Sequence, residues 1–92
     1  MSSDLLQKAE SAHRRGDLLN AEQLYRQLLR EESTNASALF GLGTLAMQRG
    51  KHTHAADLLL QAAKIEPDAA DISLNLALAL QRSGQLQAAT VH

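Results

Sequence analysis

The chain has no cysteine and no tryptophan, and only one proline, one phenylalanine and one tyrosine. Without cysteine there is no disulfide framework and no thiolate metal site. Two aromatic rings in 92 residues are too few for the stacking platforms on which single-stranded nucleic acid is bound. Neither sign of charge is in excess: nine Lys and Arg stand against ten Asp and Glu. That balance gives no electrostatic reason to expect nucleic acid or an anionic membrane as partner. No apolar run approaches the roughly 18 residues that a membrane span needs. The opening stretch "MSSDLLQKAE" mixes acid and base and does not read as a signal peptide. Together these absences suggest a cytoplasmic chain.

Residues that favour strands are also scarce, with one Val and two Ile. The apolar share of 45% is carried almost wholly by Leu and Ala, both strong helix formers. The expectation is an all-α fold.

One pattern occurs three times. "RRGDLLNAE" begins at position 14, "QRGKHTHAA" at 48 and "RSGQLQAAT" at 82. Gly16, Gly50 and Gly84 are 34 residues apart, and Ala21, Ala55 and Ala89 keep the same interval. A fixed period of this size marks a stack of repeated supersecondary units. The apolar spacing predicts helices over about 4–15, 18–32, 36–48, 52–65 and 70–82. Gly16, Gly50 and Gly84 are expected to break the first, third and fifth, with Leu86 opening a sixth. A glycine after a helix supplies the left-handed conformation that side chains resist. Thr34, Asn35 or Ser37 can cap the third helix, and Asp68 or Asp71 the fifth. Pro67 stops the fourth. Inward stripes are expected to carry Leu5, Ala9 and Ala12, then Ala21, Leu24, Tyr25, Leu28 and Leu29. Leu39, Leu42, Gly43, Leu45 and Ala46 follow, then Ala55, Leu58, Leu59, Ala62 and Ala63. On the fifth helix the stripe is expected at Leu74, Leu76, Ala77 and Leu80.

Catalytic groupings are not apparent. His52 and His54 are two apart, so a helix points them to different sides. His13 and His92 lie far from them, and all four are expected to be solvated polar residues without a metal. The glycines stand singly, so there is no phosphate loop, and no Ser or Thr sits in a nucleophile elbow. Glu31-Glu32 and Glu66/Asp68 read as solvated helix ends. No enzyme and no cofactor are expected from these residues.

The residues resemble tetratricopeptide repeats. The second unit, 36–69, carries Leu39, Leu42-Gly43, Ala46, Gly50, Ala55, Leu59, Ala62 and Pro67 in the family's register. The first, 2–35, carries Leu5, Ala9, Ala12, Gly16, Ala21, Tyr25 and Leu28, but has Lys8 where Leu is usual and Ser33 where Pro is usual. The third, 70–92, carries Leu76-Ala77, Leu80, Gly84, Leu86 and Ala89 and is truncated. The resemblance implies one domain, a right-handed α-solenoid of antiparallel helix pairs, and suggests the N-terminal part of a longer protein.

It also implies a function: a protein-interaction scaffold that holds a peptide or partner domain on the concave side, lined by the first helix of each pair. The implied groove residues are Gln7, Glu10 and Arg14 from the first repeat. The second supplies Phe40, Thr44, Met47 and Gln48, with Ser37 and Gly41 beside them. The third supplies Asp71, Leu74, Asn75, Leu78 and Arg82. Superhelical members carry an asparagine at the place of Asn75, whereas Gln7 and Gly41 occupy the equivalent places here. Members that grip a C-terminal carboxylate use basic residues where this chain has Leu6, Glu10, Gly41, Asp71 and Asn75, which argues against that ligand. Two rival readings are a repeat region preceding a bacterial sulfotransferase or glycosyltransferase domain, and a homodimer formed through the unfinished third repeat.

Overall fold

The computed structural model describes the backbone of residues 2–91 and the side chains of 4–84. It contains five helices: α1 (Ser2–Arg14), α2 (Leu18–Glu31), α3 (Ala36–Gln48), α4 (His52–Ile65) and α5 (Ala70–Val91). Each packs against the next, while α1 also meets α3 and α3 meets α5. Among the described residues the backbones of α2 and α4 stand apart. The helices therefore form two layers, α1-α3-α5 and α2-α4, in a stack measuring 48 × 28 × 20 Å. This is the expected all-α arrangement of antiparallel helix pairs.

The two tight turns are built alike. Gly16 and Gly50 adopt φ of +81° and +77°. The Asp17 N–H donates to the Ala12 carbonyl at 2.9 Å and the Gly16 N–H to that of His13 at 3.1 Å. In the next repeat the Lys51 N–H donates to Ala46 at 2.8 Å and the Gly50 N–H to Met47 at 3.0 Å. Both pairs are Schellman closures, which satisfy carbonyls that a helix end leaves open. The longer connection after α2 ends at Asn35, whose Oδ1 accepts the Ala38 N–H at 3.0 Å and caps α3. At the head of α5 it is Asp71, inside the first turn, that accepts a backbone N–H, from Ile72 at 2.9 Å.

The core follows the small residues. Ala9, Ala12, Ala21, Tyr25 and Leu28 meet Ala38, Leu42 and Leu45 across the first repeat boundary. Ala46, Ala55, Ala56 and Leu59 continue to Ala79. Leu28 of α2 and Leu59 of α4 are fully buried. Each such leucine contributes on the order of 2 kcal/mol of transfer free energy.

The third repeat departs from expectation twice. First, Gly84 does not end the fifth helix, which continues from Ala70 to Val91. Ser83 explains the difference. It stands where Arg15 and Arg49 begin the earlier turns, but here it is buried and its hydroxyl lies 2.9 Å from that of Thr53. That polar contact holds the backbone against α4 and in line. A turn at Gly84 would be rewarded only by burial of a following helix. The side chains expected on a sixth helix, Leu86 and Ala89, lie outside the described residues.

Second, the buried stripe of α5 is rotated from the one expected. Ile72, Ala79 and Ser83 are buried, with Leu76 half-buried. Ala77 is exposed, as are Leu74 at 63% and Leu80 at 55%. Leu76 and Ala79 stand at the positions of Leu42 and Leu45, which face the preceding repeat. Ala77 and Leu80 stand at the positions of Gly43 and Ala46, which in α3 face α4. No helix covers that side of α5 among the described residues.

Candidate functional site

The layer of first helices presents a groove. Glu10, His13 and Arg14 of α1 meet Phe40, Thr44 and Gln48 of α3 around a concavity of about 510 Å³, with Ser37 and Gly41 beside them and Tyr25 at its floor. A second concavity, of about 260 Å³, lies between α3 and α5 and is lined by His13, Thr44, Met47, Gln48, Asn75 and Arg82. The two share His13, Thr44 and Gln48 and so run on into each other.

The structure therefore gathers eight of the expected groove residues: Glu10, Arg14, Phe40, Thr44, Met47, Gln48, Asn75 and Arg82. It places four elsewhere. Gln7 lines a crevice between α1 and α2 together with Lys8, Ser11, Asn20 and Leu24. Its equivalent Gly41 faces Tyr25 of the preceding repeat. Asp71, Leu74 and Leu78 line neither concavity.

The floor of the groove depends on one glycine. A Cβ at Gly41 would lie 2.2 Å from Cζ of Tyr25, so the absent side chain is the space the ring occupies. Tyr25 is 2% exposed. Burial, reinforced by the negative charge of Glu10, pushes its hydroxyl up to about 12. The hydroxyl lies 3.4 Å from Nδ1 of His13, and Nε2 of His13 lies 2.7 Å from Oε1 of Gln48. One tautomer satisfies both contacts: Nε2–H donates to Gln48, and Nδ1 accepts from the Tyr25 hydroxyl. The His13 and Tyr25 rings meet edge to face, with centroids 6.1 Å apart. This chain of contacts ties α1, α2 and α3 together beneath the groove.

His13 was not expected here. Far from being a solvated side chain, it is half-buried, and it borders both concavities. The repeat carried the signal, because His13 stands 34 residues before Met47, a groove position. His52 is also half-buried, and its Nδ1 is buried without a hydrogen-bond partner.

Charge within the groove is mixed. Glu10 opposes Arg14 near one end, and Arg82 lies at the other. Thr44 spends its hydroxyl proton on the Gly41 carbonyl at 2.9 Å, leaving lone pairs toward the groove. Gln48 and Asn75 offer amides that both donate and accept. The surface can hydrogen-bond an extended backbone and pack apolar side chains on Phe40 and Met47. Among the described residues no three His, Asp or Glu side chains converge as metal ligands do.

These features define a class: a helical-repeat domain whose alternate helices form a continuous lining. The sequence profile described as Tetratricopeptide repeat matches residues 6–70 and, overlapping, 44–90. The chain belongs to the tetratricopeptide repeat family, whose members generally mediate protein–protein interaction. The cellulose synthase 2 operon protein C of Komagataeibacter xylinus is 42% identical over 60 residues. That match covers 65% of this chain and 5% of the relative, so the chain spans a small part of the relative's length. No helix among the described residues is long and apolar enough to cross a membrane.

Proposed function

We propose that this chain is a non-catalytic interaction module that holds an extended peptide segment of a partner protein along the α1-α3-α5 groove. The observation that carries this reading is the convergence of Glu10, Arg14, Gln48, Asn75 and Arg82, from three helices, on two connected concavities. Amides in the middle bind the peptide backbone, and arginines near the ends favour acidic side chains beside it. The relative's printed link to a cellulose synthase operon supports one setting for such a module, as a repeat segment within a larger assembly. The test is selection of peptides from a random display library on the chain, followed by affinity measurement against a Gln48→Ala/Asn75→Ala variant. The reading expects affinity about tenfold weaker with the helical circular dichroism preserved at the temperature of the binding assay. Unchanged affinity would remove the groove from consideration.

A second reading rests on a separate observation, the bare side of α5 with Leu80 at 55% exposure. In α3 the matching positions, Gly43 and Ala46, are covered by α4. Burial of this strip against a second copy would give a homodimer. Light scattering across a concentration series tests it. The mass should rise with concentration and stay monomeric in Leu80→Glu; a constant monomer mass for the unaltered chain would end this reading.

A further inference from the structure

The opposite face of the molecule carries a second surface that the groove reading does not use. The backbones of α2 and α4 stand apart, and a trough runs between them with Leu42 and Leu45 of α3 as its floor. One end holds Arg26, Arg49 and Lys51 around Glu22. The trough continues as a cavity of about 300 Å³ whose walls include Leu29, Arg30 and Leu58. Four of the chain's nine Lys and Arg side chains border it, against the single carboxylate of Glu22. With His54 neutral this leaves a local net charge of +3, on a chain whose overall charge is −1.

The fold does not require these charges. Arg26 and Glu22 stand where the second repeat has Leu60 and Ala56, and Lys51 stands where the first has Asp17. Glu22 is already engaged on both sides, by Arg26 at 2.9 Å and Arg49 at 2.8 Å. Those contacts, the Arg26 hydrogen bond foremost, hold its carboxyl below the usual carboxylate range. Among the described residues Arg30 and Lys51 form no ion pair. The trough thus pairs unmatched positive charge with a leucine-lined floor.

We propose that this trough between α2 and α4 is a docking site for an acidic peptide segment, with an aliphatic side chain seated on Leu29, Leu42 and Leu58 and flanking carboxylates on Arg30 and Lys51. Charge complementarity sets the sign of the partner. The apolar floor favours a peptide over an anionic polysaccharide or a lipid headgroup surface, neither of which brings an isolated aliphatic side chain to a recessed pocket.

The test uses a short fluorescein-labelled peptide of glutamates and leucines, followed by fluorescence anisotropy on the full chain. Binding should weaken with added salt, as charge attraction between exposed groups does. Lys51→Asp installs the residue that the first repeat already tolerates at Asp17, and it should weaken binding about tenfold. Arg30→Gln should act in the same direction, whereas Glu22→Gln should tighten binding by releasing Arg26 and Arg49. A matched peptide with serine for leucine should bind about tenfold more weakly. Gln48→Ala/Asn75→Ala should bind the acidic peptide normally, which separates this surface from the groove. No binding, equal binding by Lys51→Asp, equal binding of the serine peptide, or equal competition by polyglucuronate or anionic vesicles would each overturn the proposal.

Discussion

The contact between Tyr25 and Gly41 should be the least forgiving in the molecule. A Gly41→Ala substitution places a methyl 2.2 Å from Cζ, 2.4 Å from Cε1 and 2.7 Å from Cε2 of the ring. The ring has little room to retreat, since it is buried and its hydroxyl lies against His13. Overpacking of this kind costs about 3 kcal/mol. Alanine in mid-helix returns about 1 kcal/mol through its higher helix propensity. The net is a loss of about 2 kcal/mol, measured by urea denaturation followed by far-UV circular dichroism. The cause is checked by a double-mutant cycle. Tyr25→Leu, the residue found at the equivalent position 59, clears the methyl's path at the cost of the ring's burial. In that background Gly41→Ala should be neutral or stabilising, giving a coupling of about 2 kcal/mol. Equal destabilisation in both backgrounds would refute the steric argument.

Further predictions follow from the turns, the cap and the buried phenol. Gly50→Ala should destabilise by about 1 kcal/mol, because φ there is +77°, whereas Gly84→Ala should stabilise by about 1 kcal/mol within a continuous α5. Opposite signs in denaturant titrations check both, and a destabilising Gly84→Ala would restore the turn. Asn35→Ala removes the α3 cap and should cost about 1 kcal/mol, read from the same titration. Tyr25 is the chain's only tyrosine, so its ultraviolet absorbance reports its ionisation alone. The folded midpoint should lie near 12, against an ordinary value of 10. The sign of the stability effect follows, because the folded state keeps its proton longer. The contribution is intact below pH 10 and is lost as pH rises through 12, amounting to roughly 3 kcal/mol. Tyr25→Phe should flatten that slope, and a folded midpoint at the ordinary value would contradict the burial.

The period of 34 made the repeat units, the four well-packed helices and most of the groove legible in the sequence. Gly16 and Gly50 could be read because a left-handed turn needs glycine locally. Gly84 could not, because whether the chain turns there depends on what the next helix buries and on the Ser83–Thr53 contact, neither of which is local. The α5 stripe was hidden for another reason. Leu74, Leu76, Leu78 and Leu80 surround the helix, so apolar spacing points nowhere, and α4 selects Ile72, Leu76 and Ala79. Residue type alone assigns His13 to solvent. Its register with Met47 would have placed it in the groove. The trough between α2 and α4 is not legible in the sequence, because its cations come from α2 and the α3–α4 turn, positions apart in sequence that only packing brings together.

The most direct test of the central claim is an amide chemical-shift map of the isotopically labelled chain with the tightest peptide from the display selection. The account predicts shifts along one side of α1, α3 and α5, centred on His13, Thr44, Gln48 and Asn75. Shifts confined to α2 and α4, with those residues unmoved, would contradict it and assign the peptide to the opposite face.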